Sequence, residues 1–238
     1  MSCKKTCKYI AVCVDISPSM GQPLLKDGKE TISHLAAVNK CLASFLSAFE
    51  KSTTEENADS PDEEYYKLFI TCGNDADTNG VEKDSKLDFK AQDGGTAKIT
   101  KALSLIKSEL ATCSGNTVAS GEINFLGYCV FIIDGVVDSG ESYEDVKKAI
   151  DELDRFISGD VVDSEKCLEN NKIVPRSFCV GFKVENCGGF LKDILYSYTN
   201  KRIVSYKEIS EYETRLKEIA DIILKDKVTS SNSSTGEL

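Results

Sequence analysis

The apolar run Tyr9 to Val14 (YIAVCV) is rich in β-branched side chains and stops abruptly on Asp15. A run of that length and composition reads as a fully buried strand. The chain then turns through Ile16-Ser17-Pro18-Ser19-Met20-Gly21, so Asp15, Ser17 and Ser19 follow the strand at i, i+2 and i+4. Open α/β sheets bind ligands beyond the carboxyl ends of their strands. A carboxylate and two hydroxyls supply only oxygen donors, which suit a hard cation such as Mg²⁺ better than a metal that prefers thiolate or imidazole.

The order of elements sets the fold class. Lys29 to Glu50 carries Ile32, Leu35, Val38, Leu42, Phe45, Leu46 and Phe49 on one helical stripe, with His34 off the stripe and expected in solvent. Residues 51–64 are polar and acidic and read as a solvated loop. Tyr66 to Cys72 is a second strand, GNDADTNG a turn, and Lys86 to Lys90 a short edge strand pairing back as a hairpin. Gly94-Gly95-Thr96 opens a helix with Ile99, Ala102, Leu103, Ile106 and Leu110. Tyr128 to Ile133 is another buried strand, ending on Asp134-Gly135, and Ser142 to Asp145 has the form of a capping box before the next helix. Strands at Ser177 to Phe182 and Ile203 to Tyr206 flank a short helical stretch, Phe190 to Tyr198, and a last helix runs from Ser210 to Lys225. Strands alternating with helices imply a parallel sheet with helices on both faces. The expected organisation is an N-terminal extension over 1–7, one domain over 8–225 and a polar flexible tail over 226–238.

Composition narrows the function. A net charge of −10 and a pI near 4.8 argue against nucleic-acid backbone binding. No run of 18 apolar residues exists to span a membrane. Cys13, Cys41, Cys72, Cys129 and Cys179 sit inside apolar runs, where they act as small hydrophobes, and MSCKKTCK has no apolar secretory core. A reducing, cytoplasmic location is the expectation. Cys3 and Cys7 form a C-x3-C pair, but a zinc site needs two further ligands at matching spacing, and the single histidine is distant.

Three loops qualify for the same sheet edge: Asp15-x-Ser17-x-Ser19, the Gly-Gly-Thr96 turn, and Asp134 closing its strand. Thr96 has to return to that edge from the hairpin, and Ala91 to Gly95 reach about 15–18 Å when extended. Three hydroxyls and two carboxylates can serve Mg²⁺ directly or through water and leave a position open to an outside anion. Mn²⁺ or Ca²⁺ would fit the same donors. Asp138 is either a support to this site or a turn aspartate. Met20 is expected to pack under the loop, and Asp75 and Asp77 to lie in a solvated turn.

DISPSM, DGGT-AKITKAL and FIIDG, in that order, resemble the von Willebrand factor A (vWA) domain with its metal-ion-dependent adhesion site, and within it the intracellular bacterial tellurite-resistance type. The resemblance implies a Rossmann-like three-layer αβα fold with a mostly parallel six-stranded sheet and one antiparallel edge strand. It also implies Ser17 and Ser19 as direct metal ligands, Asp15 and Asp134 acting mainly through water, and Thr96 binding directly or through water. The partner it implies is a protein that offers an Asp or Glu to the open position. The function expected is therefore Mg²⁺-dependent protein recognition, in a stress or tellurite-resistance-type assembly.

Enzyme readings fare worse. There is no G-x-S-x-G, P-loop or G-x-G-x-x-G. A phosphatase-like hydrolase using Asp15 as nucleophile would resemble the haloacid-dehalogenase pattern D-x-D, but the second carboxylate is Ser17 here. A metal-independent scaffold is the other alternative.

Overall fold

In the computed structural model, which describes residues 5–26, 29–52, 63–82, 88–118, 123–133, 140–158, 177–182, 204–206 and 209–226, the run that ends on Asp15 lies in the middle of a six-stranded sheet. Strand β1 (Lys5–Asp15) has β4 (Glu63–Cys72) on one side and β6 (Ile123–Ile133) on the other, both parallel. Beyond β6 lie β7 (Ser177–Phe182) and β8 (Val204–Tyr206), also parallel, and β5 (Ala76–Glu82) closes the opposite edge antiparallel to β4. The expected sheet, mostly parallel with one antiparallel edge strand, is the observed one.

Alternation along β1 divides two cores. Ile10, Val12 and Val14 face α1 (His34–Ser52) and the last helix, α4 (Ile209–Lys225), meeting Val38, Leu42, Phe45, Tyr212, Leu216 and Ile223. Cys7, Tyr9, Ala11 and Cys13 face α2 (Ile99–Val118) and α3 (Tyr143–Ser158), meeting Ala102, Ile106, Leu110, Val146, Ile150 and Leu153. Each fully buried Leu, Ile or Phe contributes about 1.5–3 kcal/mol, which is what fixes these helices to the sheet. Ser142 caps α3: its Oγ accepts the Asp145 N–H at 3.1 Å and donates to Asp145 Oδ2 at 2.6 Å.

Four expectations are corrected. The first helix begins at His34, not Lys29, because Lys29–Ser33 forms strand β3 of a separate antiparallel hairpin with β2 (Pro23–Lys26). His34 is buried, with its backbone N–H donating to Gln22 O at 3.1 Å, since this hairpin folds against the start of α1. The edge strand comes from the supposed turn, Ala76–Glu82, while residues 88–90 carry no strand. Lys5 to Cys7 belong to the sheet and not to an extension, pairing with β4 and β6. The stretch at 190–198, most of the acidic segment (53–62) and all of the expected tail after its first residue (227–238) lie outside the described residues, and that first residue, Asp226, is buried.

At the amino end of β1 the side chain of Lys8 is fully buried. Its Nζ donates to Glu63 Oε2 at 3.0 Å and to the carbonyls of Ile223 and Leu224, the last turn of α4, at 3.1 and 3.5 Å. A cation at a helix carboxyl end complements both the helix dipole and its unpaired carbonyls. Beside it, Tyr128 donates its hydroxyl to the buried Asp226 at 2.7 Å, so the end of α4 is tied to β6 as well.

Candidate metal centre

The carboxyl end of β1 carries the first loop. Asp15 is 1% exposed, and its Oδ1 accepts the Ser17 N–H at 2.7 Å. That contact folds the backbone back over the strand end. Pro18 then starts a short 3-10 turn (Pro18–Gly21), closed by Met20 N–H to Ser17 O at 3.0 Å. Met20 is buried beneath it, as expected. The turn presents Ser17 and Ser19 side by side, with Oγ···Oγ at 2.9 Å.

Thr96 reaches this rim by a strap over the sheet. Phe89 is buried on the α1 side, where Asn39 holds its backbone on both polar groups: Nδ2 donates to Phe89 O at 3.0 Å, and Oδ1 accepts its N–H at 3.1 Å. Ala97 is buried on the α2 side. Between them the chain crosses the strand ends, and Gln92 N–H donates to Ile16 O at 2.8 Å, joining the Thr96 segment to the Asp15–Ser19 loop. Asp134 follows Ile133, the last residue of β6, and lies outside the described residues, as does Asp138. The structure thus brings together the loops of Asp15, Ser17, Ser19 and Thr96.

Three residues at this rim were missed from sequence. Asn74 and Gln92 link the β4–β5 turn to the Thr96 loop. Glu141 sits on the amino end of α2, its carboxylate accepting the N–H groups of Ile99 at 2.9 Å and Thr100 at 2.8 Å as well as the Thr100 hydroxyl. Glu141 lies 42 positions from Ile99, and no local pattern announces such a pairing. Asp75 is exposed; a hydrogen bond from Lys101 Nζ at 2.8 Å, and then the Ala76 N–H, hold its carboxyl below the usual range. Asp77 is exposed too, accepting its neighbour Thr78 N–H, but it lies in β5 opposite Thr71, so only Asp75 fits the solvated-turn reading.

The donor set favours a hard cation. Among the described residues no group of three or more His, Cys, Asp or Glu side chains is placed to hold a metal. Burial, then the neighbouring Cys72 thiol, hold Cys13 well above its ordinary pKa, so it offers no thiolate under the site. What remains is Asp15 with hydroxyls. The 2.9 Å between the Ser17 and Ser19 hydroxyls is an ordinary hydrogen-bond distance.

Solved structures share these layers. A von Willebrand factor type A protein from Catenulispora acidiphila matches at TM-score 0.55 and 10% identity, over 91% of this chain and 42% of that one. The fold is that of the vWA domain. BatB from Bacteroides thetaiotaomicron matches this vWA fold at TM-score 0.54 and 13% identity, over 91% of this chain and 97% of that one. Proximal thread matrix protein 1 from the mussel byssus, in a structure described as having a zinc-occupied MIDAS motif, matches at TM-score 0.57 and 14% identity, over 92% of this chain and 48% of that one. The chain spans less than half the length of the Catenulispora and mussel proteins. At such identities the likeness establishes the fold alone. No protein-family model matches the sequence, and no curated protein matches it.

Proposed function

We propose that this vWA-fold chain is a Mg²⁺-dependent protein-recognition module. Asp15, Ser17, Ser19, Thr96 and Asp134 hold the ion, and a partner's Asp or Glu completes its shell. The observation that carries the reading is the Ser17–Ser19 hydroxyl pair at 2.9 Å, raised on a loop that buried Asp15 folds and that the Thr96 strap meets. A divalent ion there would give an acidic chain the local positive field needed to accept a carboxylate. The proposed setting is the cytoplasm, in a stress or tellurite-resistance-type assembly. The thiols of Cys7, Cys13, Cys41, Cys72 and Cys113, which form no disulfide, suit a reducing compartment.

The phosphatase-like alternative asks Asp15 to attack a substrate. Its 1% exposure and its bond to Ser17 N–H suit a residue that shapes the loop instead. The test is capture of a partner from native lysate with Mg²⁺ present. Release by EDTA, and loss of capture with Ser17→Ala and with Asp134→Ala, are expected. Capture indifferent to all three would reject metal-mediated recognition in favour of a scaffold. Mg²⁺-dependent turnover of a phosphate ester, lost in Asp15→Asn, would establish the hydrolase.

A further inference from the structure

The Thr96 loop is set by a side chain from another element. Asn74, in the turn between β4 and β5, lies across the two glycines that precede Thr96. Its Nδ2 donates to Gly94 O at 3.1 Å, and its Oδ1 accepts the Thr96 N–H at 3.3 Å. Its own N–H donates to Gln92 Oε1 at 3.0 Å, and Gln92 N–H is the group bonded to Ile16 O at 2.8 Å. One continuous chain of hydrogen bonds therefore runs from the Ser17–Ser19 loop through Gln92 and Asn74 to Thr96.

The glycines are required by this arrangement. Gly94 and Gly95 have φ of 91° and 88°, a region that L side chains rarely adopt. A Cβ at Gly95 would stand 1.5 Å from Asn74 Oδ1, and one at Gly73 would stand 2.4 Å from Gln92 Oε1. The room left by missing side chains is filled by the two amides.

We propose that Asn74 is a positioning residue for Thr96, fixing how that hydroxyl is offered to the cation. The proposal rests on the metal-site reading above, so its test has one arm that needs no metal. In the metal-free full chain, amide hydrogen exchange followed by NMR reads the Asn74–Thr96 bond. Asn74→Ala speeds exchange at Thr96 about five- to tenfold, the weight of one hydrogen bond, with β1 amides unchanged. Asn74→Asp, which keeps the acceptor, preserves the protection.

In the second arm, calorimetric titration with Mg²⁺ alone shows about five- to tenfold weaker binding for Asn74→Ala, and no further loss when that change is added to Thr96→Ala. Unchanged Thr96 exchange in Asn74→Ala would overturn the proposal whatever the metal does. An additive loss in the double variant would overturn it too, by showing that Asn74 acts elsewhere. If the wild-type chain takes up no ion while the exchange result holds, the metal reading fails and the Asn74 support of Thr96 stands.

Discussion

At its amino end β1 buries a cation, and at its carboxyl end it buries a carboxylate, yet the two ends are finished differently. Lys8 is answered from within the chain by Glu63 and by the carbonyls that end α4. At the other end Asp15 turns the backbone, and the hydroxyls it helps place meet each other in a 2.9 Å hydrogen bond. The first arrangement holds a helix. The second holds a pair of hydroxyls that the proposed ion would share. Polar burial alone therefore does not mark a site; what the polar groups are paired with does.

The comparison predicts that changes at the amino end damage stability, and changes at the rim damage binding. Lys8→Met should have the largest effect, because it takes the ammonium from the α4 carbonyls and from a part-buried Glu63, which keeps the Tyr65 hydroxyl but loses its opposite charge. Urea unfolding should show a loss of about 3 kcal/mol. A loss below about 1 kcal/mol would mean that Lys8 contributes packing and little else.

Next comes Asp154 on α3, near the start of β7, where Ser177 Oγ donates to it at 2.5 Å. Burial raises its carboxyl to about 6 despite that bond, with Asp151 adding to the rise. The folded state thus holds the proton more tightly than the unfolded chain does. The stability gained from it is complete below about pH 4 and is lost as pH rises through 6, about 2 kcal/mol after allowing for partial exposure. Asp154→Asn should flatten that part of a pH–stability profile.

Third, Glu141→Ala removes the carboxylate on the first turn of α2 and should cost about 1–2 kcal/mol, with faster amide exchange confined to that turn. Smallest in stability is Ser17→Ala, under about 1 kcal/mol without metal. Its mark is elsewhere. Saturating Mg²⁺ should raise the melting temperature of the wild-type chain and leave the variant unmoved. A variant that is still stabilised by Mg²⁺ would place the ion away from this loop.

Much of the fold was legible because β1, β4 and β6 are apolar runs bounded by abrupt polar stops, and α2, α3 and α4 carry clear stripes. The first helix was overextended because Ile32 falls on the stripe of α1 although it belongs to β3; the Asp27-Gly28 dipeptide was the hairpin signal available. The edge strand escaped because Ala76–Glu82 contains Asp, Asn and Gly, poor strand formers that pairing with β4 overrides. Asp15, Ser17 and Ser19 stood out by spacing. Asn74, Gln92 and Glu141 did not, since each acts through a contact distant in sequence.

The strap has a consequence for how this chain tolerates change in length. Phe89 and Ala97 are fixed in opposite cores, and the seven residues 90–96 between them must cover the whole thickness of the sheet. At about 3.3–3.6 Å per residue they could reach about 23–25 Å, more than the crossing needs, and the bends at Gly94 and Gly95 take up the surplus. A change of length there falls first on those bends, so it reshapes the Thr96 rim before it pulls on either anchored core.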